Sequence, residues 1–231
     1  MRSLVIILVL IPLFFSCETE EVSTIISTEI RDLPEFSKLN LEDLGDADII
    51  ISNDFKIEIT THVNVLDDIR TNVDDGELEI ELRGRHKNIR VLDYKVFVPT
   101  LERITLEGVG NIRCFDPLES DNIFIYQDGV GNIDLRNIKA ETVYAKLNDV
   151  GDIILSGEAD NIAYDLEGVG SIQAFGLEAL IGEAVLDGVG DIEINAIDDL
   201  TIKNDGVGKV YYLGNPTLHI SGKNNGIVKK D

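Results

Sequence analysis

The amino-acid sequence predicts an all-β protein built as a solenoid, in which a short repeat coils around one apolar core. The first observation is a four-residue motif, an acidic or amide residue followed by Gly-Val-Gly or a close variant, that returns about every twenty residues. The second is that apolar and polar residues alternate on both sides of each copy, which is typical of β-strands. The third is that no window of residues 30–99 carries the apolar period of an amphipathic helix.

The repeat occupies residues 100–231. The first glycine of the motif, or the residue in its place, stands at seven positions that lie 18 to 21 residues apart: Gly108, Gly129, Asp149, Gly168, Gly188, Gly206 and Gly226. A nearly constant period of this length is typical of a solenoid and suits one β-coil of two or three short strands. We therefore expect seven stacked coils, or rungs.

Equivalent positions of the repeat predict which side chains form the core. Residues two and four before the first glycine, and four and six after it, are mostly apolar and should point inward. Cys114 belongs to one of these rows, which predicts a buried structural thiol. The two glycines should form a corner with positive φ, with Asp149 adopting the same conformation. We expect the valine between them to fill that corner.

The N-terminus predicts an exported, lipid-anchored protein. Residues 1–16 combine one basic residue with an apolar run too short for a comfortable transmembrane helix, which indicates a signal peptide. Cys17 follows a small residue at the end of that run and resembles the lipidated cysteine of bacterial lipoproteins; the alternative is ordinary cleavage with a free Cys17. Residues 17–29 are acidic and rich in small residues, which predicts a tether. Residues 30–231 form the folded domain.

Residues 30–99 predict a less regular β segment in front of the rungs. The stretches FKIEITTHVNV and GELEIELRG alternate apolar and polar residues without a fixed repeat. The Asp-Gly pair in NVDDGE predicts a tight hairpin turn.

The formal net charge of −23 argues against nucleic acid as a partner. Acids recur at the position before the first glycine: Glu107, Asp128, Glu167, Asp187 and Asp205. Carboxylates stacked about 4.8 Å apart repel one another by about 1 kcal/mol even in water. This row predicts weak binding of a divalent cation, Ca²⁺ first, with nearby oxygens from Asn111, Asn132, Asp152 and Asp191. The alternative is a solvated acidic edge that discourages aggregation, and no other cofactor is expected.

Three aromatic residues predict a contact patch. Phe124, Tyr126 and Tyr144 fall on outward positions of adjacent rungs, where they can bind a glycan, a protein ligand or another copy of the chain. The alternative is that residues 30–99 cover them.

Catalytic patterns are missing from the sequence. The three histidines, His62, His86 and His219, are scattered, and no nucleophile elbow of the form G-x-S-x-G is present. The near-constant repeat interval leaves no room for the long loops that build a catalytic cleft on a solenoid. We expect a protein that is not an enzyme.

The repeat also resembles a known family. The segments VFVPTLERITLEGVG, LEGVGSIQAFGL and DGVGKVYYLGNPTLHISG are similar to the head GIN domain family of auto-transporter adhesins, over roughly residues 36–228. The resemblance implies a right-handed parallel β-helix-like fold and a cell-envelope or surface location, in the outer membrane or on the cell surface. It implies a non-catalytic role in adhesion or recognition; the alternatives are a structural envelope scaffold and a carbohydrate-active β-helix enzyme.

Overall fold

The computed structural model describes residues 20–223 and 226–230 and shows a β-solenoid of about six turns, with 71% of residues in strands. The predicted all-β solenoid is confirmed. Within the described ranges, the helical structure is limited to one 3-10 turn at Leu66–Asp68. The structure has about six turns, against the seven rungs that the sequence predicts. Gly226 does not stand at a corner, because Ile227, directly after it, pairs with Val210 rather than with Val207.

Among the residues that the structure describes, nine strands precede residue 100: β1 (Glu20–Glu21), β2 (Ile26–Asp32), β3 (Lys38–Leu41), β4 (Asp46–Ile51), β5 (Lys56–His62), β6 (Ile69–Asp74), β7 (Glu77–Leu82), β8 (His86–Lys87) and β9 (Leu92–Val98). Ten described strands follow: β10 (Arg103–Leu106), β11 (Val109–Cys114), β12 (Leu118–Gln127), β13 (Val130–Leu147), β14 (Val150–Leu166), β15 (Val169–Leu186), β16 (Ile192–Asn204), β17 (Val210–Leu213), β18 (Thr217–Gly222) and β19 (Ile227–Lys229).

Strands of the repeat pair in parallel, one rung on the next. Val109 pairs with Val130, and Val130 pairs with Val150. Equivalent sequence positions therefore form straight rows along the solenoid, as the period predicted. The inward rows are also confirmed, since Leu106, Ile112 and the equivalent apolar residues of later rungs are almost fully buried.

Cys114 lies in one of the buried rows and is 1% exposed, as predicted. Its thiol donates a hydrogen bond to the carbonyl oxygen of Asp116, with the sulfur 3.7 Å from that oxygen. Burial raises the pKa of the thiol to about 12. Cys114 is therefore a packing residue rather than a nucleophile.

The corner glycines are required mainly by close stacking of the rungs. A Cβ atom on Gly129 would lie 2.1 Å from the carbonyl oxygen of Gly108. Only the second glycine of the motif has positive φ, for example +141° at Gly131. The expectation of positive φ at both positions is wrong, and Asp149 is not among the non-glycine residues with positive φ.

The repeat begins earlier than residue 100. Strands β3 and β4 pair in parallel with β10 and β11, and Leu44 bridges to Val109. The sequence of this additional rung, LEDLGDA at 41–47, matches LNDVGDI at 147–153 position by position in its pattern. The match is hidden because residues 52–98, which form the N-terminal end of the stack, are inserted before the next rung.

Antiparallel strands close that end. Strands β7 and β9 lie in parallel on β3 and β4, β5 pairs antiparallel with β9, and β2 pairs antiparallel with β5. The predicted hairpin turn joins β6 to β7, with φ of 47° at Asp75 and 72° at Gly76. Strand β2 begins at Ile26, inside the segment 17–29 for which the sequence predicts a tether.

Candidate functional site: exposed rows of the solenoid

The valine of each motif lies on the surface and does not fill the corner, so that expectation is wrong. The alternation of the strand continues through the corner, as at exposed Asp128, buried Gly129 and exposed Val130. The residues at this position are between 42% and 69% exposed. They stack rung on rung and are called the corner row: Leu44, Val109, Val130, Val150, Val169, Val189 and Val207.

A row of acids runs beside the corner row, two residues earlier in each rung. This acidic row holds the five predicted carboxylates: Glu107, Asp128, Glu167, Asp187 and Asp205. The additional rung adds Glu42 at its N-terminal end. Asn148 interrupts the row, and its amide donates a hydrogen bond to Asp128. The next position of the row is held by Lys223, since Asn204 pairs in register with Gly222 and the backbone N–H of Lys223 donates a hydrogen bond to Asp205.

Two lysines neutralise the C-terminal part of the acidic row. The ammonium of Lys146 lies 3.0 Å from Glu167, and that of Lys203 lies 3.2 Å from both Asp187 and Asp205. The hydrogen bonds that Lys203 donates to Asp187 and Asp205 hold its pKa above the usual value, and they also hold the pKa of Asp205 below its usual value. Negative charge is therefore concentrated at the N-terminal part of the row.

The carboxyl of Glu42, at the N-terminal end of the acidic row, is affected both by burial and by the negative charges around it. Burial raises the pKa of its carboxyl, and the nearby charges of Glu79, Glu107, Glu81 and Asp43 raise it further. The row is thus a surface on which added positive charge would be stabilised.

Calcium binding along the acidic row stays a prediction. Among the described residues, no group of three or more His, Cys, Asp or Glu side chains is placed to hold a metal ion. An ion at the C-terminal part would also have to compete with Lys146 and Lys203. Thermal melts in calcium and in a chelator test the idea, and identical midpoints would end it.

A third row of side chains lies three residues after the first glycine of each motif and forms hydrogen bonds with the backbone of the next rung. Its side-chain oxygens accept amide N–H groups from the equivalent position one rung further on. The distances are 2.9 Å from Asp46 to Asn111, 3.1 Å from Asn111 to Asn132, 2.9 Å from Asn132 to Asp152, 2.8 Å from Asp152 to Ser171 and 2.8 Å from Asp191 to Lys209. These oxygens, expected as additional cation ligands, therefore stabilise the stack.

The three predicted aromatic residues lie together on one outward face and are half-buried. Phe124 pairs in register with Tyr144, and the rings of Tyr126 and Tyr144 are 5.9 Å apart. The guanidinium of Arg103 lies 5.8 Å from the centre of the Tyr126 ring. Phe124 also lines a cleft of about 240 Å³ together with Arg103 and Lys38. Lys38, in β3, is the contribution of the N-terminal segment to this cleft.

A groove of about 680 Å³ runs across four rungs midway between successive corner motifs. Small side chains form one row of it: Ser120, Ala140, Ala159 and Ala179. Acids dominate the flanking rows: Glu119, Asp121, Glu141, Glu158, Asp160 and Glu178. The sequence did not predict this groove because the strand register shifts between Leu135 and Ile138 and again between Ile154 and Ser156, which breaks the constant offset from the motif.

Each of the three histidines has its own partner in the fold. The ring of His62 accepts the backbone N–H of Arg90 at 3.1 Å. His86 lies 3.1 Å from Asp68, and His219 lies 3.1 Å from Asp199. No two of the three rings share a partner among the described residues.

Residues 1–19, which include the predicted signal peptide and Cys17, lie outside the described residues. In the part of the chain that the structure covers, there is no helix with the length and apolar character needed to cross a membrane.

The fold and its rows define a β-solenoid whose surface repeats the same chemistry from rung to rung. The chain belongs to the family described as "Putative auto-transporter adhesin, head GIN domain", whose model matches residues 35–216. The predicted family is confirmed. Membership supports an adhesion module with a surface or extracellular location.

Several solved structures are similar to the chain. A protein from Bacteroides fragilis, described as a putative adhesin, is 30% identical, with a TM-score of 0.88, covering 91% of this chain and 99% of its own. A putative lipid binding protein from Parabacteroides distasonis is 18% identical, with a TM-score of 0.73 and coverage of 93% and 100%. A putative adhesin from Parabacteroides merdae is 20% identical, with a TM-score of 0.67 and coverage of 92% and 99%. The last two support the fold alone. No curated protein matches the chain.

Proposed function

We propose that the chain is a non-catalytic, lipid-anchored surface module for adhesion or recognition. The observation that carries the proposal is family membership together with 30% identity to a putative adhesin over 91% of the chain. The exposed rows of the solenoid support a recognition role, because a partner with a repeated structure can make the same contact on successive rungs.

The anchor in this proposal is a lipid on Cys17. The apolar run before it and the acidic segment after it are those of an exported lipoprotein. A lipid there would hold the solenoid at the membrane through the residues between Cys17 and strand β1.

The aromatic patch is a contact surface in this proposal. Tyr126 and Tyr144 offer adjacent ring surfaces, and Arg103 supplies a cation beside them. Such a surface suits the apolar face of a sugar or an aromatic protein side chain. Glycan-array binding by the wild-type chain and by Tyr126→Ala separates a recognition module from an envelope scaffold, because a scaffold would bind no glycan.

Two measurements on intact cells test location and anchor. Metabolic labelling with an alkyne fatty acid should mark the wild-type chain and leave Cys17→Ser unmarked. External protease should remove the wild-type chain from intact cells while a periplasmic control protein survives. A chain that survives protease until the cells are lysed would contradict surface exposure, and equal labelling of both chains would contradict the anchor at Cys17.

A further inference from the structure

We propose that the corner row is a docking surface for a cationic amphipathic helix of a partner protein or peptide. The inference rests on the recognition function proposed above and names the kind of partner that one surface fits.

The exposed apolar character of the row is not required by the fold. Threonine would satisfy the same strand geometry, since it is also β-branched and the position faces outward. Val130 and Val150 are each 44% exposed, and Val207 is 69% exposed. Single exposed apolar residues are ordinary, but a continuous stacked row marks an interaction surface. At a rung spacing of about 4.8 Å, the row is about 29 Å long.

The charge beside the corner row indicates which kind of partner can bind there. The acidic row lies on one side of the corner row. The third row lies on the other side and is mixed, since Asp152 and Asp191 share it with Lys209, and its Asp46 is ion-paired with Arg113 at 3.5 Å. A second copy would bring two such surfaces, each from a chain of charge −23, into contact, which costs electrostatic energy. Anionic lipid headgroups would be repelled for the same reason. A partner with an apolar stripe beside basic residues is complementary to the corner row and to the acidic row.

An amphipathic helix has that arrangement in the required dimensions. One helical turn rises about 5.4 Å, close to the spacing of about 4.8 Å between successive valines. Apolar residues at i, i+3, i+4 and i+7 would lie along the corner row, and flanking Lys or Arg would reach the carboxylates. A helix of about 18 residues covers about 27 Å, nearly the whole row. Docking should be tightest near Glu42, Glu107 and Asp128, away from Lys146 and Lys203.

The test uses the purified full-length chain and a synthetic probe of about 18 residues, made of Leu and Lys with all Leu on one helical face. A scrambled peptide of the same composition controls for charge alone. The test variant is Val109→Thr/Val130→Thr/Val150→Thr, which leaves the charge unchanged. The matched control is Leu180→Thr/Ile181→Thr/Ile197→Thr, three exposed apolar residues outside the row.

We expect the wild-type chain to bind the amphipathic probe at least about tenfold more tightly than the scrambled peptide. The valine variant should lose that advantage with an unchanged melting temperature, and the control variant should keep it. Equal binding of both peptides by the wild-type chain would overturn the proposal, as would equal loss in both variants. A wild-type dimer that the valine variant converts to a monomer would overturn it too, by assigning the row to self-association. Because the assay needs no cells, its failure is distinct from a failed surface-exposure experiment.

Discussion

The α-carbon of Gly131 faces the backbone of the rung before it so closely that a Cβ atom would lie 1.7 Å from the carbonyl oxygen of Gly110. Gly131 also has a φ of +141°, which side-chain-bearing residues rarely adopt. The second glycine of the motif therefore meets two requirements at once, a backbone conformation and a contact distance. The Gly-Val-Gly spacing is thus set by how tightly two corners stack.

Gly131→Ala should lower the free energy of unfolding by at least about 3 kcal/mol, because strain and steric overlap add at this position. Gly76→Ala is the control, since Gly76 has a φ of +72° and a Cβ atom added to it would have no other atom within 4 Å. Gly76→Ala should lower the free energy of unfolding only by the cost of backbone strain, about 1–2 kcal/mol. Denaturant unfolding measures both, and equal losses would contradict a role for the contact.

The capping oxygens of the third row give a second prediction. Asp152→Ala removes the acceptor of the Ser171 amide N–H, whose nitrogen lies 2.8 Å from Oδ1. The lost hydrogen bond should lower the free energy of unfolding by about 1–2 kcal/mol, as measured by denaturant unfolding. Asp152→Asn keeps an oxygen at the same place and should cost much less. If Asn and Ala are equally destabilising, the charge of Asp152 matters and its hydrogen bond does not.

The rungs were predictable because they depend on local rules that the sequence repeats. Alternation places Leu106 and Ile112 inside, and the constant period places Val109 over Val130. Family membership was predictable for the same reason, since the motif is the repeated corner.

Features that depend on how one rung meets another were harder to predict. The outward position of the valines follows from alternation that continues through the corner, whereas a sharp turn was expected to interrupt it. The rung at 41–47 was missed because its partner in the stack lies far along the chain, as the bridge from Leu44 to Val109 shows. The lysine pairs of the acidic row depend on side chains from other positions of the strands, as Lys203 with Asp187 shows.

Glu42 gives a prediction about pH. Its pKa is raised in the folded protein, so folding favours its protonated form. Its contribution to stability is present below its usual pKa and is lost as the pH rises through the raised value. Glu42→Gln should therefore stabilise the chain at pH 7 by a small amount, below about 1 kcal/mol because the carboxyl is only partly buried and water screens its neighbours. At a pH of about 4 the gain should shrink. Glu158→Gln, in the groove, is the matched control, and a gain that is the same at both pH values would contradict the argument.

Cys114 gives a prediction about reactivity. With its pKa raised to about 12, roughly one thiol in ten thousand is ionised at a pH of about 8, and the thiolate is the reactive form. In a Cys17→Ser chain, where Cys114 is the remaining cysteine, a colorimetric disulfide reagent should react with the native protein only as fast as the fold opens. In guanidinium chloride the same thiol should react rapidly, with the ordinary cysteine pKa of about 8.5. Rapid reaction of the native protein would show that Cys114 is reachable and that the inward row it belongs to is misplaced.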